Sequence, residues 1–216
     1  MSWYEPLPKR SLELIGATGL GHDASILDVG GGASSLAAEL LAMGYTDLTV
    51  ADISTTALAH AQTALGPSAA RITWIEGDIR THDFGRRYDL WHDRAVFHFM
   101  VDAADRKGYL DVLRKTLRPG GHLILATFGP QGPTQCSGLP INRYGADDVQ
   151  RILGDEFALA SSSLVIHRTP SGGSQQFHYA HLLRRVNVLL GEEPDTGTWD
   201  GPREDQGADH LPPSSR

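Results

Sequence analysis

A glycine-rich turn between an apolar strand and a helix start constrains this chain more than any other feature. The predicted strand covers residues 25–29, and Gly30, Gly31 and Gly32 follow it directly. Glycine lets the backbone turn tightly and approach a ligand closely. The helix that follows offers free N–H groups and a partial positive charge at its start. The segment therefore predicts an α/β fold that binds a ligand at the end of its first strand.

Strand-like and helix-like patterns alternate along the first 155 residues, as is typical of a parallel sheet flanked by helices. The predicted strands cover residues 25–29, 47–52, 72–76, 88–92 and 123–128. The predicted helices cover residues 34–43, 55–65, 102–117 and 146–153. Residues 159–168 and 175–183 then flank a Thr-Pro-Ser-Gly-Gly turn, which predicts a hairpin. We therefore expect a mostly parallel sheet with an antiparallel element at its C-terminal end.

Charge divides the chain into a nearly neutral body, residues 1–186, and an acidic tail, residues 187–216. Residues 191–216 carry two basic and seven acidic side chains, so they hold −5 of the formal net charge of −7. The tail is also rich in Gly and Pro, and we expect it to be disordered because it has too little apolar surface to bury. The body is long enough to form one domain with a sizeable core.

The same composition argues against several classes of partner. Outside residues 191–216 the chain has 17 basic and 19 acidic side chains, so it lacks the basic face of a nucleic-acid-binding domain. Nothing favours attraction to an anionic membrane surface, and no apolar run approaches the ~20 residues of a membrane span. The single cysteine, Cys136, cannot form an intrachain disulfide, which fits the cytoplasm. The ten scattered histidines predict no metal site, and the oligomeric state stays open.

Three aspartates stand at the ends of three successive predicted strands, on the edge where open α/β sheets bind ligands. Asp28 precedes the glycines, Asp52 ends the second strand and Asp78 follows the third. Asp52 suits a carboxylate that accepts two ribose hydroxyls. Ile53 is placed to cover a base face, and Asp78 to accept a hydrogen bond from an adenine amino group. Helix capping explains one such aspartate well, but three in register with a glycine turn favour a nucleoside site.

The details of the glycine turn argue against a nicotinamide dinucleotide. Such a ligand would place its pyrophosphate on the turn. Here the third position of the G-x-G-x-x-G pattern is Ser35, and Asp28 puts a negative charge two residues before the first glycine. A zwitterionic ligand with a positively charged group would bind beside the Asp28 carboxylate more favourably than a pyrophosphate would.

The ordered motifs resemble the class I S-adenosylmethionine-dependent methyltransferases over roughly residues 12–183. The matching segments, in order, are Asp28-x-Gly30-x-Gly32, Asp52, Gly77-Asp78-Ile79, Tyr88-Asp89-Leu90 and Leu117-Arg118-Pro119-Gly120-Gly121. The resemblance implies a Rossmann-like, mostly parallel seven-stranded sheet flanked by helices, with the last strand antiparallel. It also implies S-adenosylmethionine as the cofactor, S-adenosylhomocysteine as its product, and no metal. The resemblance implies Asp28 and Gly30 near the methionyl part, Asp52 on the ribose and Asp78 on the adenine. Gly32, Ile53 and Ile79 complete the implied set of cofactor-binding residues, with Ile53 at the base face.

A narrower resemblance follows the fourth predicted strand. The run Trp91-His92-Asp93-Arg94-Ala95-Val96 is similar to the thiopurine and halide/thiol methyltransferase group. In that group an Asp-Arg pair faces donor and acceptor, which implies catalytic roles for Asp93 and Arg94, and an aromatic segment similar to Trp3 covers the cofactor. The Gly-Pro-Pro of that group is here Gly138-Leu139-Pro140. The same pair occurs in small protein-lysine methyltransferases, so the resemblance leaves the acceptor open.

The acceptor that the sequence favours is a small molecule with a soft nucleophile such as a thiol. A thiolate needs no general base, and the planar guanidinium of Arg94 suits an anionic acceptor. A salt bridge from Arg94 to Asp93 or Asp102 is an alternative role for this side chain. Two competing functions remain: a protein-lysine methyltransferase, and a non-catalytic module that binds the cofactor.

Three further residues are candidates for lining the acceptor pocket. They are His98, just past the fourth strand, and Arg143 and Tyr144, in a loop before a predicted helix. Two of them have a structural alternative, namely His98 as a hydrogen-bonded structural histidine and Tyr144 as a side chain that packs against the helix start. A pocket plugged by Trp91 or Phe97 would favour the non-catalytic module over an enzyme.

Overall fold

The computed structural model describes residues 5–169 and 172–186. Within these ranges the α-helices are α1 (Lys9–Ala17), α2 (Leu36–Ala42), α3 (Thr55–Leu65), α4 (Ala103–Thr116) and α5 (Ala146–Leu153). The strands are β1 (Ser25–Val29), β2 (Asp47–Asp52), β3 (Ile72–Glu76), β4 (Tyr88–Arg94), β5 (Leu117–Phe128), β6 (Gln135–Cys136), β7 (Leu139–Pro140), β8 (Phe157–Arg168) and β9 (Ser174–Arg184). The predictions for Trp3 and for residues 187–216 lie outside the described residues.

Seven strands form one sheet in the order β3-β2-β1-β4-β5-β9-β8. Strands β1 to β5 are parallel to one another. Strand β9 is antiparallel to β5, and β8 is antiparallel to β9. The predicted Rossmann-like sheet, with its last strand antiparallel in a C-terminal hairpin, is confirmed. Strands β6 and β7 form a separate two-stranded ribbon, which the sequence analysis did not predict.

The core consists of two apolar clusters, one on each face of the sheet. Successive side chains of a strand point to opposite faces, so Ile26 of β1 packs in one cluster and Leu27 in the other. Helices α1, α2 and α3 contribute to the cluster around Ile26, and helices α4 and α5 to the cluster around Leu27. The predicted apolar stripe of α4 is buried as expected, with Tyr109 and Leu113 at 1% and 0% exposure.

Most elements agree with the prediction to within two residues at each end, and the larger or more informative differences are three. Helix α1 was not predicted, although Leu14 and Ile15 bury one of its faces. Strand β4 extends two residues further, to Arg94. Strand β5 begins at Leu117, which pairs with Tyr88 of β4, and includes the Pro-Gly-Gly segment that was expected to be a turn. The register between β4 and β5 shifts across this segment, and pairing resumes at His122.

The carboxyl ends of β1 to β4 meet at one edge of the sheet because these strands are parallel neighbours. The residues that follow each of these strands therefore converge there. None of the helices in the described part of the chain is long and apolar enough to cross a membrane.

Candidate active site

A cavity of about 560 Å³ opens at this edge of the sheet. One end, which we call the nucleoside end, is formed by residues that follow β2 and β3: Asp52, Ile53, Gly77, Asp78, Ile79, Arg80, His82 and Phe84. The other end, which we call the β4 end, is formed by Arg94, Ala95, Val96, Phe99, Met100, Val101, Cys136, Ser137, Leu139 and Pro140. The glycine turn after β1 borders the cavity through Gly30.

The glycine turn has the geometry that only glycine permits. Gly30 has a φ of 70°, and a Cβ atom there would lie 2.2 Å from the side chain of Val96. A Cβ atom on Gly32 would lie 2.8 Å from Asp52 Oδ2 and 2.9 Å from Ala57. The Gly30 N–H donates to the carbonyl of Ala51 at 2.7 Å, so the turn is tied to the end of β2. These contacts fix the backbone close to the ligand edge.

Asp52 joins the glycine turn to the nucleoside end of the cavity. Its Oδ2 accepts a hydrogen bond from Gly32 N at 3.0 Å, and its Oδ1 accepts one from Ser54 N at 2.8 Å. A carboxylate oxygen has further lone pairs, so Asp52 can still accept from a ligand in the cavity that it lines. Ile53 next to it is 68% exposed, as expected of an apolar side chain that covers a ligand.

Asp78 takes part in an ion-pair cluster at the same end. Arg80 donates to both of its carboxylate oxygens, at distances of 2.6 to 3.0 Å, and also to Asp105 at 2.8 Å. The hydrogen bonds from Arg80 hold the pKa of Asp78 below its usual value, against the effect of burial. Asp78 is therefore ionised and fixed in place, and Ile79 beside it is buried at the cavity wall.

Asp28 lies below the glycine turn rather than inside the cavity. Its side chain is 5% exposed, and its Oδ1 is 2.7 Å from His92 Nδ1. The other ring nitrogen of His92 is 2.8 Å from the hydroxyl of Ser11 on α1. Asp28 Oδ2 has no partner among the described residues. This buried chain of contacts links the first helix to the floor of the turn.

Asp93 is fully buried and does not line the cavity. Its carboxylate accepts hydrogen bonds from Val96 N at 2.9 Å, Phe97 N at 3.0 Å and the Tyr109 hydroxyl at 2.6 Å. Burial raises the pKa of Asp93 to about 6. Asp93 thus holds the turn after β4 and lies outside the cavity lining, and a catalytic role for it stays a prediction.

Arg94, in contrast, lines the cavity. Its Nε donates to the Tyr179 hydroxyl at 3.0 Å, and its guanidinium lies 4.6 Å from the centre of the Phe177 ring. Glu5 Oε1 is 3.0 Å from Arg94 Nη2. The ion pair of Arg94 is thus with Glu5, where the sequence analysis had considered the neighbouring aspartates.

The other predicted acceptor residues do not line the cavity. His98 has 0% exposure, and burial together with the Arg94 charge lowers its pKa to about 3, so its ring is neutral. Tyr144 is buried and its ring lies 5.3 Å from that of Phe97. Arg143 is exposed and donates to the carbonyl of Gly132 at 3.3 Å. His98, Arg143 and Tyr144 thus lie outside the cavity lining, and acceptor-binding roles for them stay predictions.

The wall of the β4 end comes from residues that the sequence analysis did not assign to the site. Met100 follows a short turn after β4, while Cys136, Leu139 and Pro140 belong to the β6–β7 ribbon. Burial raises the pKa of the Cys136 thiol, which keeps it protonated. The departure Gly138-Leu139-Pro140 was the one sequence signal that pointed to this ribbon. The ribbon makes the β4 end largely apolar.

No group of three or more His, Cys, Asp or Glu within residues 5–169 and 172–186 is arranged to hold a metal ion. The plug that would favour a non-catalytic module is also not found among these residues. Trp91 and Phe97 are buried in the core and leave the cavity open.

Comparison with known proteins agrees with this geometry. Residues 26–121 match a family model described as a methyltransferase domain. None of the curated protein sequences compared with the chain matches it. Among solved structures, 1030 chains resemble it.

Three of these solved structures illustrate the likeness. A glycopeptide N-methyltransferase bound to S-adenosylhomocysteine is 18% identical, with a TM-score of 0.65 over 85% of this chain and 92% of that chain. The 1,6-didemethyltoxoflavin-N1-methyltransferase of Burkholderia thailandensis is 20% identical, with a TM-score of 0.65 over 83% and 78%. A structure from work on the conversion of a disulfide bond into a thioacetal group during echinomycin biosynthesis is 18% identical, with a TM-score of 0.68 over 88% and 86%.

At these identities the solved structures establish the fold, and the family model supplies the activity of the domain that spans β1 to the first part of β5. The matched methyltransferase domain and the likeness to S-adenosylmethionine-dependent methyltransferases of known structure support an enzyme that transfers a methyl group from S-adenosylmethionine.

Proposed function

We propose that this enzyme transfers a methyl group from S-adenosylmethionine to a small molecule that carries a soft nucleophile such as a thiol. The observation that carries the proposal is the character of the β4 end. Its described lining contains no His, Asp or Glu, and the nearby His98 and Asp93 are buried away from the cavity. An acceptor bound here finds no general base in this lining, which favours a nucleophile that attacks without one.

The residues around the cavity fit the cofactor. The volume of about 560 Å³ lies in the range of small-molecule sites. In the proposed arrangement Asp52 accepts the ribose hydroxyls, Ile53 and Ile79 flank the adenine, and Asp78 accepts from its amino group. Gly30 and Gly32 let the turn pack against Val96, Asp52 and Ala57, which Cβ atoms at these positions would approach too closely, and the methionyl part is proposed to bind beside this turn.

The proposed mechanism asks the chain mainly to position the acceptor and exclude water. S-adenosylmethionine, when bound, supplies a methyl group that is already activated by its sulfonium. Holding the nucleophile in line with the methyl group can supply ~7–11 kcal/mol of the barrier. Met100, Leu139 and Pro140 make the wall of the β4 end apolar, and a site that holds little water favours a reaction that removes charge from the sulfonium.

Two alternatives receive less support. A lysine acceptor must lose a proton before it attacks, and the described β4 end offers no residue to take that proton. A module that only binds the cofactor would be expected to have a plugged acceptor pocket, whereas Trp91 and Phe97 leave the cavity open. The fold itself does not decide the acceptor, because one fold hosts many substrates.

The direct test is transfer of tritium from methyl-labelled S-adenosylmethionine to a panel of small thiols, selenols and protein lysates. Label in one or more small thiols or selenols is the expected result. Label found only on protein lysines, with every small thiol inert, would replace the proposal with the protein-lysine alternative.

A further inference from the structure

Glu5 places a negative charge against Arg94 at the β4 end of the cavity. Its Oε1 lies 3.0 Å from Arg94 Nη2 and 3.1 Å from His167 Nδ1. The side chains of Arg94 and His167 are 10% and 6% exposed, so this contact is largely shielded from water. Arg94 lines the cavity, so the charge of its Glu5 partner can change the affinity for a charged ligand as well as the stability of the fold.

The backbone around Glu5 is held over the glycine turn. The hydroxyl of Ser35 donates to the carbonyl of Glu5 at 3.2 Å and to that of Pro6 at 3.0 Å. Glu5 and Arg94 also border a small hollow together with Asp28 and Gly30. The ion pair therefore lies between the turn that borders the methionyl part of the proposed site and the β4 end.

Arg94 presents an electrostatic problem for a cofactor that carries a sulfonium. A guanidinium does not lose its proton in proteins, and Arg94 is held in place by Tyr179 and Phe177. Two positive charges roughly 10 Å apart, at an effective dielectric constant of about 20, repel enough to weaken binding roughly tenfold. Without a counter-charge, Arg94 would therefore favour release of the sulfonium form.

We propose that Glu5 offsets the charge of Arg94 and thereby sets the affinity of the cleft for the sulfonium of S-adenosylmethionine relative to the neutral thioether of S-adenosylhomocysteine. This inference rests on the proposed function, because it requires the cofactor to bind in this cavity. Glu5 is a positioning residue in this account, since it acts through Arg94. Asp28 borders the same hollow, but its carboxylate contacts His92, whereas Glu5 contacts the guanidinium itself.

The test compares the dissociation constants of the two ligands, measured by calorimetry on the full chain. Glu5→Gln keeps the size of the side chain and removes its charge. We expect the ratio of the dissociation constant for S-adenosylmethionine to that for S-adenosylhomocysteine to rise about tenfold. A residue that only anchored the N-terminal segment would weaken both ligands equally and leave the ratio unchanged. Glu13→Gln is the matched control, because Glu13 pairs with Lys9 and Arg10 on α1 and does not line the cavity.

A second variant tests the same idea with the opposite sign. Arg94→Gln removes the positive charge and should lower the ratio, and the Glu5→Gln/Arg94→Gln double variant should return it close to the wild-type value. If Glu5→Gln does not fold, the result for Arg94→Gln decides alone. An unchanged ratio in a folded single variant overturns the inference while the proposed function stands, provided that the wild-type protein binds both ligands. A wild-type protein that binds neither ligand overturns both.

Discussion

The ribose contact of Asp52 gives the sharpest single-residue prediction for cofactor binding. Asp52 lies where β2 ends, and its two oxygens already accept hydrogen bonds from Gly32 and Ser54. In the proposed complex the same carboxylate also accepts the two ribose hydroxyls. Asp52→Ala should therefore weaken binding, because it removes a charged acceptor and loosens the glycine turn.

The size of the effect follows from these hydrogen bonds. Loss of a charged acceptor shared by two buried hydroxyls costs ~2–4 kcal/mol, which corresponds to about 30-fold to 1,000-fold in the dissociation constant. Asp52→Asn keeps one acceptor oxygen of the same shape, so its loss of affinity should be smaller. The order wild type, Asp52→Asn, Asp52→Ala is part of the prediction.

Calorimetry with S-adenosylhomocysteine measures both variants, with a melting curve to verify that each is folded. Asp47→Ala is the matched control, because Asp47 begins the same strand at its other end and pairs with Arg86 far from the ligand edge. Its affinity should equal that of the wild type. Unchanged affinity in a folded Asp52→Ala protein would refute the ribose role.

Three further predictions concern stability and the reaction. Tyr109→Phe should lower the free energy of unfolding, measured in urea, by ~1–3 kcal/mol, because the hydroxyl donates to Asp93 and accepts from the Trp91 indole. An unchanged free energy of unfolding would argue that these two hydrogen bonds do not stabilise the fold. The pKa of Asp93 is about 6 in the folded state against an ordinary value of 3.8, so the folded state binds the extra proton between these values. Because of Asp93, the free energy of unfolding should fall by ~3 kcal/mol as the pH rises from 4 to above 6. Asp93→Asn should remove this part of the pH dependence. The same pH dependence in both proteins would contradict the prediction. The methylation rate should rise with pH until the acceptor thiol is ionised. Acceptor thiols of different pKa should therefore give rate profiles that shift with the pKa of the thiol. One common pH profile for all thiols would count against direct thiolate attack.

Much of the fold was predictable from sequence because its signals are local. Residues 25–29, 47–52 and 72–76 were predicted as strands and have those bounds in the structure. Apolar runs that end in glycine or aspartate mark strands of a buried parallel sheet clearly. Helix α1 was not predicted, because no side chain caps its N-terminus. Its Ser11 contacts His92, which lies 81 residues later in the chain. That contact is long-range and leaves no local pattern.

The β4 end was predicted less well for a specific geometric reason. Ala95 adopts a left-handed conformation with a φ of 71°, which a non-glycine residue rarely does. The sequence therefore gives no local signal for the turn that follows β4. The turn directs Asp93 into the core while Arg94 lines the cavity. The partner of Arg94 also comes from Glu5, 89 positions earlier in the chain. The sequence therefore indicated the Asp93-Arg94 pair, but it did not indicate that Asp93 lies in the core while Arg94 lines the cavity.

The central claim is that the cavity at the ends of β1 to β4 holds the nucleoside of S-adenosylmethionine. A crystal structure of the protein with S-adenosylhomocysteine tests it most directly. The account predicts ribose hydroxyls on the Asp52 carboxylate, the adenine between Ile53 and Ile79, and the sulfur on the side of Arg94. A nucleoside bound elsewhere, or one whose ribose makes no contact with Asp52, would contradict it.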